Sequence, residues 1–498
     1  MTGPAGLGRQ AAGGMAWSVI ASGGGRLISL VSVAVLARLL APADFGLVAF
    51  ALVFIAYIEA LGDLGTGAAL VRWPHRPRQV AQVTFAINLA MAAVWFALTV
   101  AAAPAVARFF GSPGGVPVLQ ALAWTFPLKA LGNTHDALLQ RGLRFRARAV
   151  PEVALLLAKA AVAIPLAVAG FGVWSLVWGQ LVGQALWTMI LWIVVPWRPT
   201  GPWPRDVVRP VLAYGRGIVW VNVLAVVVHH VDVVVVGRVF GTVTLGFYQM
   251  AEKLPDVAVN LLARATSKVL FPVFARLHAG GEALREMYAV SLRYLSLLTT
   301  PAAVALAVLA EPLVVTAFGA QWLPSVPILQ ALAAYTGVRA LSALAGDVLK
   351  AIGRPGLLAS LAAVRGIVLI PALVLASAHG AVAVAASLAA VTALGSALNI
   401  VVVCRLAAIP LAAVLAALFP SFGASGALAG ALALVLSHTA ELPPVIQVAL
   451  AGGVGLAVYV GAVRVLSPVT WREVRRVIAE RGDRVPRTDW DLARAAVR

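Results

Sequence analysis

Apolar runs of twenty or more residues follow one another from Met15 to Leu466, broken by short segments in which Arg, Gly and Pro collect. Each run is long enough, as a helix, to cross a hydrocarbon core of about 30 Å. The pattern predicts helices near 15–40, 47–70, 83–108, 116–140, 150–170, 172–196, 211–236, 247–270, 287–310, 323–349, 357–378, 380–404, 409–436 and 443–466. That makes fourteen spans of an all-α polytopic membrane protein. Each short-looped pair has a second reading, a single bent or re-entrant element. Strands of alternating polar and apolar residues are absent, which disfavours a membrane barrel.

Composition agrees: of 498 residues, 61% are hydrophobic and 11% charged, where a soluble domain carries roughly 25% charged residues. The first apolar run is longer than a signal-peptide core of about 7–15 residues and contains Arg26, so cleavage is not expected. One cysteine, Cys404, excludes a disulfide framework and a cysteine-rich metal site. The spacing of other candidate ligands points to no metal, and no cofactor motif appears.

The net charge of +19 would suggest nucleic acid in a soluble protein, but its placement does not. Basic residues crowd alternate loops, at Arg72, Arg76 and Arg78; Arg141 to Arg148; Arg198, Arg205 and Arg209; Arg276 and Arg285; Lys350 and Arg354; and Arg405. The intervening loops hold little beyond Arg38, Arg108 and Arg238. Positive charge marks the cytoplasmic side, so both termini are expected inside, consistent with an even number of spans. The basic tail, with Trp471 and Trp490, reads either as a segment lying on the inner membrane surface or as a solvated tail.

The chain repeats itself. VPVLQALA at 116–123 returns as VPILQALA at 326–333, with Pro and Gln in register. The same offset of 210 puts Lys129 on Arg339, and one residue of slippage puts Asp136 on Asp347. KAAVAIP at 159–165 matches RGIVLIP at 365–371, placing Lys159 on Arg365. Arg38 and Gly46 are echoed 200 residues on by Arg238 and Gly246. These echoes predict two related six-helix lobes, 1–196 and 211–404, an additional helix pair at 409–466 and a basic tail at 467–498. Six helices per lobe give both the same orientation, the parallel-repeat build of transporters that hold substrate between rocking halves.

A charge within the bilayer costs about 2.5–3.5 kcal/mol on insertion scales and needs a reason. Arg26, Lys129, Lys159, Arg339 and Arg365 sit well inside predicted helices, and the repeat puts four of them at pseudo-symmetric positions. They are candidates to line a cavity for an anionic ligand, a phosphate above all, which arginine grips with paired donors; snorkelling or ion pairing is the plainer reading. The fewer acids, Glu59, Asp63, Asp136, Asp232 and Asp347, are candidates for ion coupling or pairing. Arg216, Arg293 and Lys253 read as snorkelling or locally paired cations, Lys253 with Glu252 and Asp256 beside it. His229 and His230, just before Asp232, could relay protons but read better as helix-packing polar residues. Trp174, Trp178, Trp187 and Trp192 fit the interfacial belt better than sugar stacking. No GxxxxGK[ST] occurs, no large domain outside the membrane offers catalytic groups, and Asp44 in APADFG reads as a turn former; no enzyme is indicated.

RLLAPADFG at 38–46, DVVVVGRVFGTVTLGFY at 232–248 with KLP after it, and VLFPVFAR at 269–276 resemble the Wzx-type oligosaccharide flippases. Those polysaccharide transporters belong to the multidrug/oligosaccharidyl-lipid/polysaccharide exporter superfamily. The resemblance implies a V of two lobes around a cationic cavity, with Arg26 near a pyrophosphate and 409–466 forming a lipid groove. It implies a multi-pass protein of the bacterial cytoplasmic membrane that carries a polyprenyl-pyrophosphate-linked oligosaccharide to the outer leaflet. Its partners would be that lipid-linked oligosaccharide, membrane lipids and other polysaccharide-assembly proteins, with no nucleic acid. A cation antiporter of the same superfamily, an integral membrane polymerase or glycosyltransferase, and a non-transporting scaffold are the rival readings.

Overall fold

The computed structural model describes residues 23–62, 65–73, 76–200, 205–260, 281–468 and 471–472, and between 261 and 280 only residues 262, 266, 270, 273, 274 and 277; side chains at 62, 205–206, 210, 212–222 and 260 fall outside the description. Asp63, the side chain of Arg216 and the tail beyond Arg472 therefore lie outside the described residues.

The described residues form helices and turns. In chain order they are α1 (23–39), α2 (Pro42–Gly62), α3 (Thr66–Arg72), α4 (Pro77–Phe109), α5 (Gly115–Leu122), α6 (Thr125–Arg141), α7 (Phe145–Val168) and α8 (Val173–Val194). There follow α9 (Arg205–Pro255), α10 (Gly281–Val308), α11 (Ala310–Ala317), α12 (Val326–Ala351) and α13 (Pro355–Ala376). The last three are α14 (Ala381–Leu406), α15 (Leu411–His438) and α16 (Pro444–Leu466).

Among the described residues, eleven helical stretches are long and apolar enough to cross a membrane, where the sequence pattern gave fourteen. The difference has physical sources. The run at 15–40 is described only from residue 23. The run at 116–140 breaks at Ala123 and Trp124, just before Pro127, which cannot donate a helical hydrogen bond; α6 is then short and charged. The pair 211–236 and 247–270 joins without a loop, so 223–259 counts as one stretch.

That join is a turn. Gly241 has φ 78° and ψ −175°, a left-handed φ that side chains rarely adopt. Across it the Tyr248 hydroxyl donates to Asp232 Oδ2 at 2.7 Å, and a methyl group on Gly237 would come within 3.1 Å of Leu245. The two arms of α9 thus fold back on each other, with Gly241 placed 200 residues after Ala41, the turn residue between α1 and α2. At that first turn Asp44 accepts a hydrogen bond from the Ala41 amide at 3.1 Å, the turn-forming role expected of it.

α2 packs along α9, and the two turns meet. A methyl group on Gly46 would overlap the Thr242 carbonyl, and one on Gly246 would overlap the Pro42 carbonyl. Around this contact lies the largest buried cluster, drawing Leu36 and Leu40 from α1, Phe50 from α2, Leu119 from α5, Val236, Leu245 and Tyr248 from α9, and Trp322 from the segment before α12. The Trp322 indole donates to the Ala37 carbonyl at 2.8 Å, and Arg38 donates to the Thr316 carbonyl. On the other side Arg238 lies over the Phe109 ring, 5.1 Å from which sits the ring of Phe110. Each half of the chain thus grips the other at the ends of corresponding helices.

A second cluster holds α10, α12, α14 and the start of α15 together through Leu292, Leu344, Val403 and Val414. The additional pair α15–α16 docks on α10, where Ser421 and Tyr459 donate to the carbonyls of Ser296 and Leu297, each at 2.7 Å. Outward, side chains such as Ile193, Leu375 and Val465 are more than two-thirds exposed, as expected of a surface whose solvent is lipid.

Candidate functional site

Where the two halves meet below the glycine contact, cations gather. Arg26 on α1 reaches across to the end of α9, donating to the Asp256 carbonyl at 3.1 Å with the Asp256 carboxylate 3.9 Å away. One residue earlier, Gly25 faces Leu156 of α7. One turn along α7 stands Lys159, whose Nζ donates to Gln180 Oε1 on α8 at 2.8 Å. α7 and α8 pack closely there because Gly179 leaves room for the Lys159 carbonyl, the use of small residues between membrane helices. Lys159 has no acid within ion-pair distance among the described residues; instead it feels the positive charge of Lys253, exposed on the last turn of α9. Like charges in a membrane interior repel and need a shared anion or water-filled space.

The other sequence candidates lie elsewhere. Lys129 on α6 donates to Glu59 on α2 at 2.8 Å, inside a cavity of about 780 Å³ that Asn88, Trp95, Asn133 and Gln140 also line. Asp136 is held by Arg148 through paired hydrogen bonds of 2.7 and 3.0 Å. Its repeat partner Asp347 is buried beside Lys350 at 3.2 Å. Arg339 and Arg365 line a separate cavity of about 580 Å³ between α12, α13 and α14. Of the four aligned cations, Arg339 and Arg365 thus share one cavity, Lys129 lines another, and Lys159 stands apart on α7, so neither aligned pair is brought together.

Asp232 is buried, its Oδ2 engaged by Tyr248 and its Oδ1 without a hydrogen bond among the described residues. The charge of Asp232 acts on the Tyr57 hydroxyl of α2, Glu252 of α9 lies within its electrostatic reach, and Glu252 also interacts with His230. The rings of His229 and His230 are 4.8 Å apart. Among the described residues no group of three or more His, Cys, Asp or Glu side chains is arranged to hold a metal ion.

Sequence reasoning set Lys253 aside as a partner of Glu252 and Asp256. In the structure Asp256 turns to Arg26, 230 residues away, and Lys253 lies within electrostatic reach of Lys159. Its one sequence signal was a second cation, one helix turn before an acid, in a span already crowded with charge.

Comparison with known proteins bears on this arrangement. A family model described as "Polysaccharide biosynthesis protein" matches residues 35–327, more than half of the chain. The succinoglycan biosynthesis transport protein ExoT of Rhizobium meliloti (strain 1021) is 28% identical over 352 residues, 70% of this chain and 71% of that protein. Among solved structures, the lipid II flippase MurJ in an inward closed conformation matches with a TM-score of 0.73 at 15% identity, covering 92% of this chain and 99% of that one. An inward-facing multidrug resistance MATE family transporter matches with a TM-score of 0.63 at 14% identity, covering 77% and 94%. At such identities the structural likeness shows the fold alone, and it is the fold of these exporters.

Proposed function

We infer, since the chain belongs to the polysaccharide biosynthesis protein family, that this transport protein is a flippase for a polyprenyl-pyrophosphate-linked oligosaccharide. It moves that lipid from the cytoplasmic to the outer leaflet of a bacterial cytoplasmic membrane by alternating access between two lobes, 1–196 and 211–404. The observation that carries the reading is the cationic character where the halves meet: Arg26 reaches across to Asp256, and Lys159, with no acid within ion-pair distance among the described residues, lies within electrostatic reach of Lys253. A pyrophosphate diester brings two negative charges to such a place, and guanidinium and ammonium donors satisfy them. The sugar hydroxyls are costly in hydrocarbon and need a wet path between the lobes, while the polyprenyl chain stays in lipid along the pair α15–α16.

Arginine-rich loops on one side support cytoplasmic termini. With that orientation the Gly46–Gly246 contact lies at the outer end, and the protein is closed towards the outside. Outward movement of the anion follows an inside-negative potential, worth about 2.3 kcal/mol per charge per 100 mV, so no nucleotide hydrolysis is required. The buried Asp232 and the half-buried Glu252 leave room for ion coupling beside it.

Reconstitution tests this directly. Liposomes carrying the purified protein and a lipid-linked oligosaccharide should expose the inner-leaflet glycan to an impermeant glycosidase added outside. Protection equal to that of protein-free liposomes would overturn the reading.

A further inference from the structure

We propose that the cavity between α12, α13 and α14 is a second anion site, which holds the phosphate of a membrane lipid on Arg339 and Arg365 with the lipid chain along its apolar wall. The two arginines come from α12 and α13, and both line the same space of about 580 Å³. Arg339 donates to the Tyr335 hydroxyl at 3.3 Å and lies over the Tyr335 ring, its guanidinium 5.1 Å from the centroid. That contact fixes the side chain and leaves the remaining donors of a five-donor group to be used. Arg365 lies with its stem against α14, where Gly395 leaves room for its Cδ, and has no hydrogen-bond partner among the described residues.

Neither guanidinium has a carboxylate within ion-pair distance among the described residues. The one acid in the cavity lining, Asp347, is occupied by Lys350 at 3.2 Å. Asp232 and Glu252 line no part of this cavity, though their charges act on Tyr335 beside it. The cavity therefore carries an excess of two positive charges at a depth where buried charges are paired or bound to ligand. Two planar guanidiniums offer several N–H donors to the tetrahedral oxygens of one phosphate.

Part of the same lining is apolar. Val364 and Val368 of α13 and Leu394 and Leu398 of α14 line the cavity, yet each is more than 40% exposed. A free phosphate would leave that wall empty; an acyl or isoprenoid chain would cover it. A charged head on an apolar tail matches both surfaces.

The sequence repeat sharpens the contrast. Lys129, aligned with Arg339, is neutralised within the protein by Glu59 at 2.8 Å. The duplicated cation is thus satisfied by the protein in the first half and left for a ligand in the second.

The test is independent of transport. Purified protein in phosphatidylcholine nanodiscs or detergent is titrated with phosphatidylglycerol, undecaprenyl phosphate or inorganic phosphate, and bound lipid is read by native mass spectrometry. Wild-type protein should retain lipid phosphate, and Arg339→Gln/Arg365→Gln should bind it at least tenfold more weakly with unchanged thermal stability; Arg365→Lys should keep part of it. Equal retention of both lipids identifies any lipid phosphate as the ligand, and preference for undecaprenyl phosphate identifies the isoprenoid. Unchanged binding by the double variant, or inorganic phosphate bound as tightly as either lipid, overturns the proposal. Should the double variant not assemble, Arg365→Gln alone carries the comparison, because among the described residues its guanidinium has no hydrogen-bond partner to lose.

Discussion

Gly46 and Gly246 stand on either side of one contact, each leaving room for a backbone carbonyl of the other's helix turn: Thr242 for Gly46, Pro42 for Gly246. The chain positions differ by 200 in both directions, so the contact is reciprocal, as a duplicated protein folded about a pseudo-twofold axis requires. No side chain larger than hydrogen fits either position without separating α2 from the second arm of α9.

A methyl group at either glycine is expected to hold this end open. Gly246→Ala should lose transport while reaching the membrane in normal amount, since overpacking costs about 1–3 kcal/mol and the rest of the fold is untouched. In a Cys404→Ser background, a thiol introduced at Phe45, which packs edge-on against Trp322 at 5.3 Å, should be protected in the parent and labelled by an impermeant reagent in Gly246→Ala. Equal labelling of the two would refute the gate-like role of the contact.

The positive charge of Lys253 acts on Lys159, and neither has an acid within ion-pair distance among the described residues. Removing either charge should therefore leave stability unchanged or raise it, yet lower transport at least tenfold, about 1.4 kcal/mol of lost stabilisation. Thermal unfolding in detergent beside glycan translocation in liposomes separates this from a structural role, which would lower both together.

Arg26 is held by Asp256, through its carbonyl at 3.1 Å and its carboxylate at 3.9 Å. A substrate phosphate would compete with that carboxylate, so Asp256→Asn should tighten binding of lipid-linked pyrophosphate while Arg26→Gln weakens it at least tenfold. A weaker complex from Asp256→Asn would assign the acid to substrate binding instead.

The Glu59–Lys129 pair has the opposite signature. Its side chains are about a third to two-fifths exposed, 32% and 42%, so solvent screens it. Glu59→Gln should cost about 1 kcal/mol, and adding Lys129→Met should recover most of that loss in a double-mutant cycle read by thermal unfolding.

Much of this arrangement is legible in the sequence because it repeats. Helix existence follows from apolar length, and the echo of Gly46 in Gly246 marks where the halves touch. The break before Pro127 had a signal, the proline itself, which the surrounding apolar run concealed. The site was less legible for a physical reason: partners are chosen in three dimensions. Lys129 and Arg339 align in sequence, yet one finds Glu59 on a neighbouring helix and the other the ring and hydroxyl of Tyr335 on its own helix. Asp256 lies three residues from Lys253 but pairs with Arg26. Helix spacing places side chains on faces; it does not say which distant helix those faces meet.

The most direct measurement is the sidedness of lipid-linked oligosaccharide in cells depleted of this protein, read by adding an impermeant glycan-cleaving enzyme to intact spheroplasts. A flippase predicts accumulated glycan that stays protected until the membrane is opened. Glycan exposed as in undepleted cells, with unfinished polymer, would contradict transport and point to polymerisation or scaffolding.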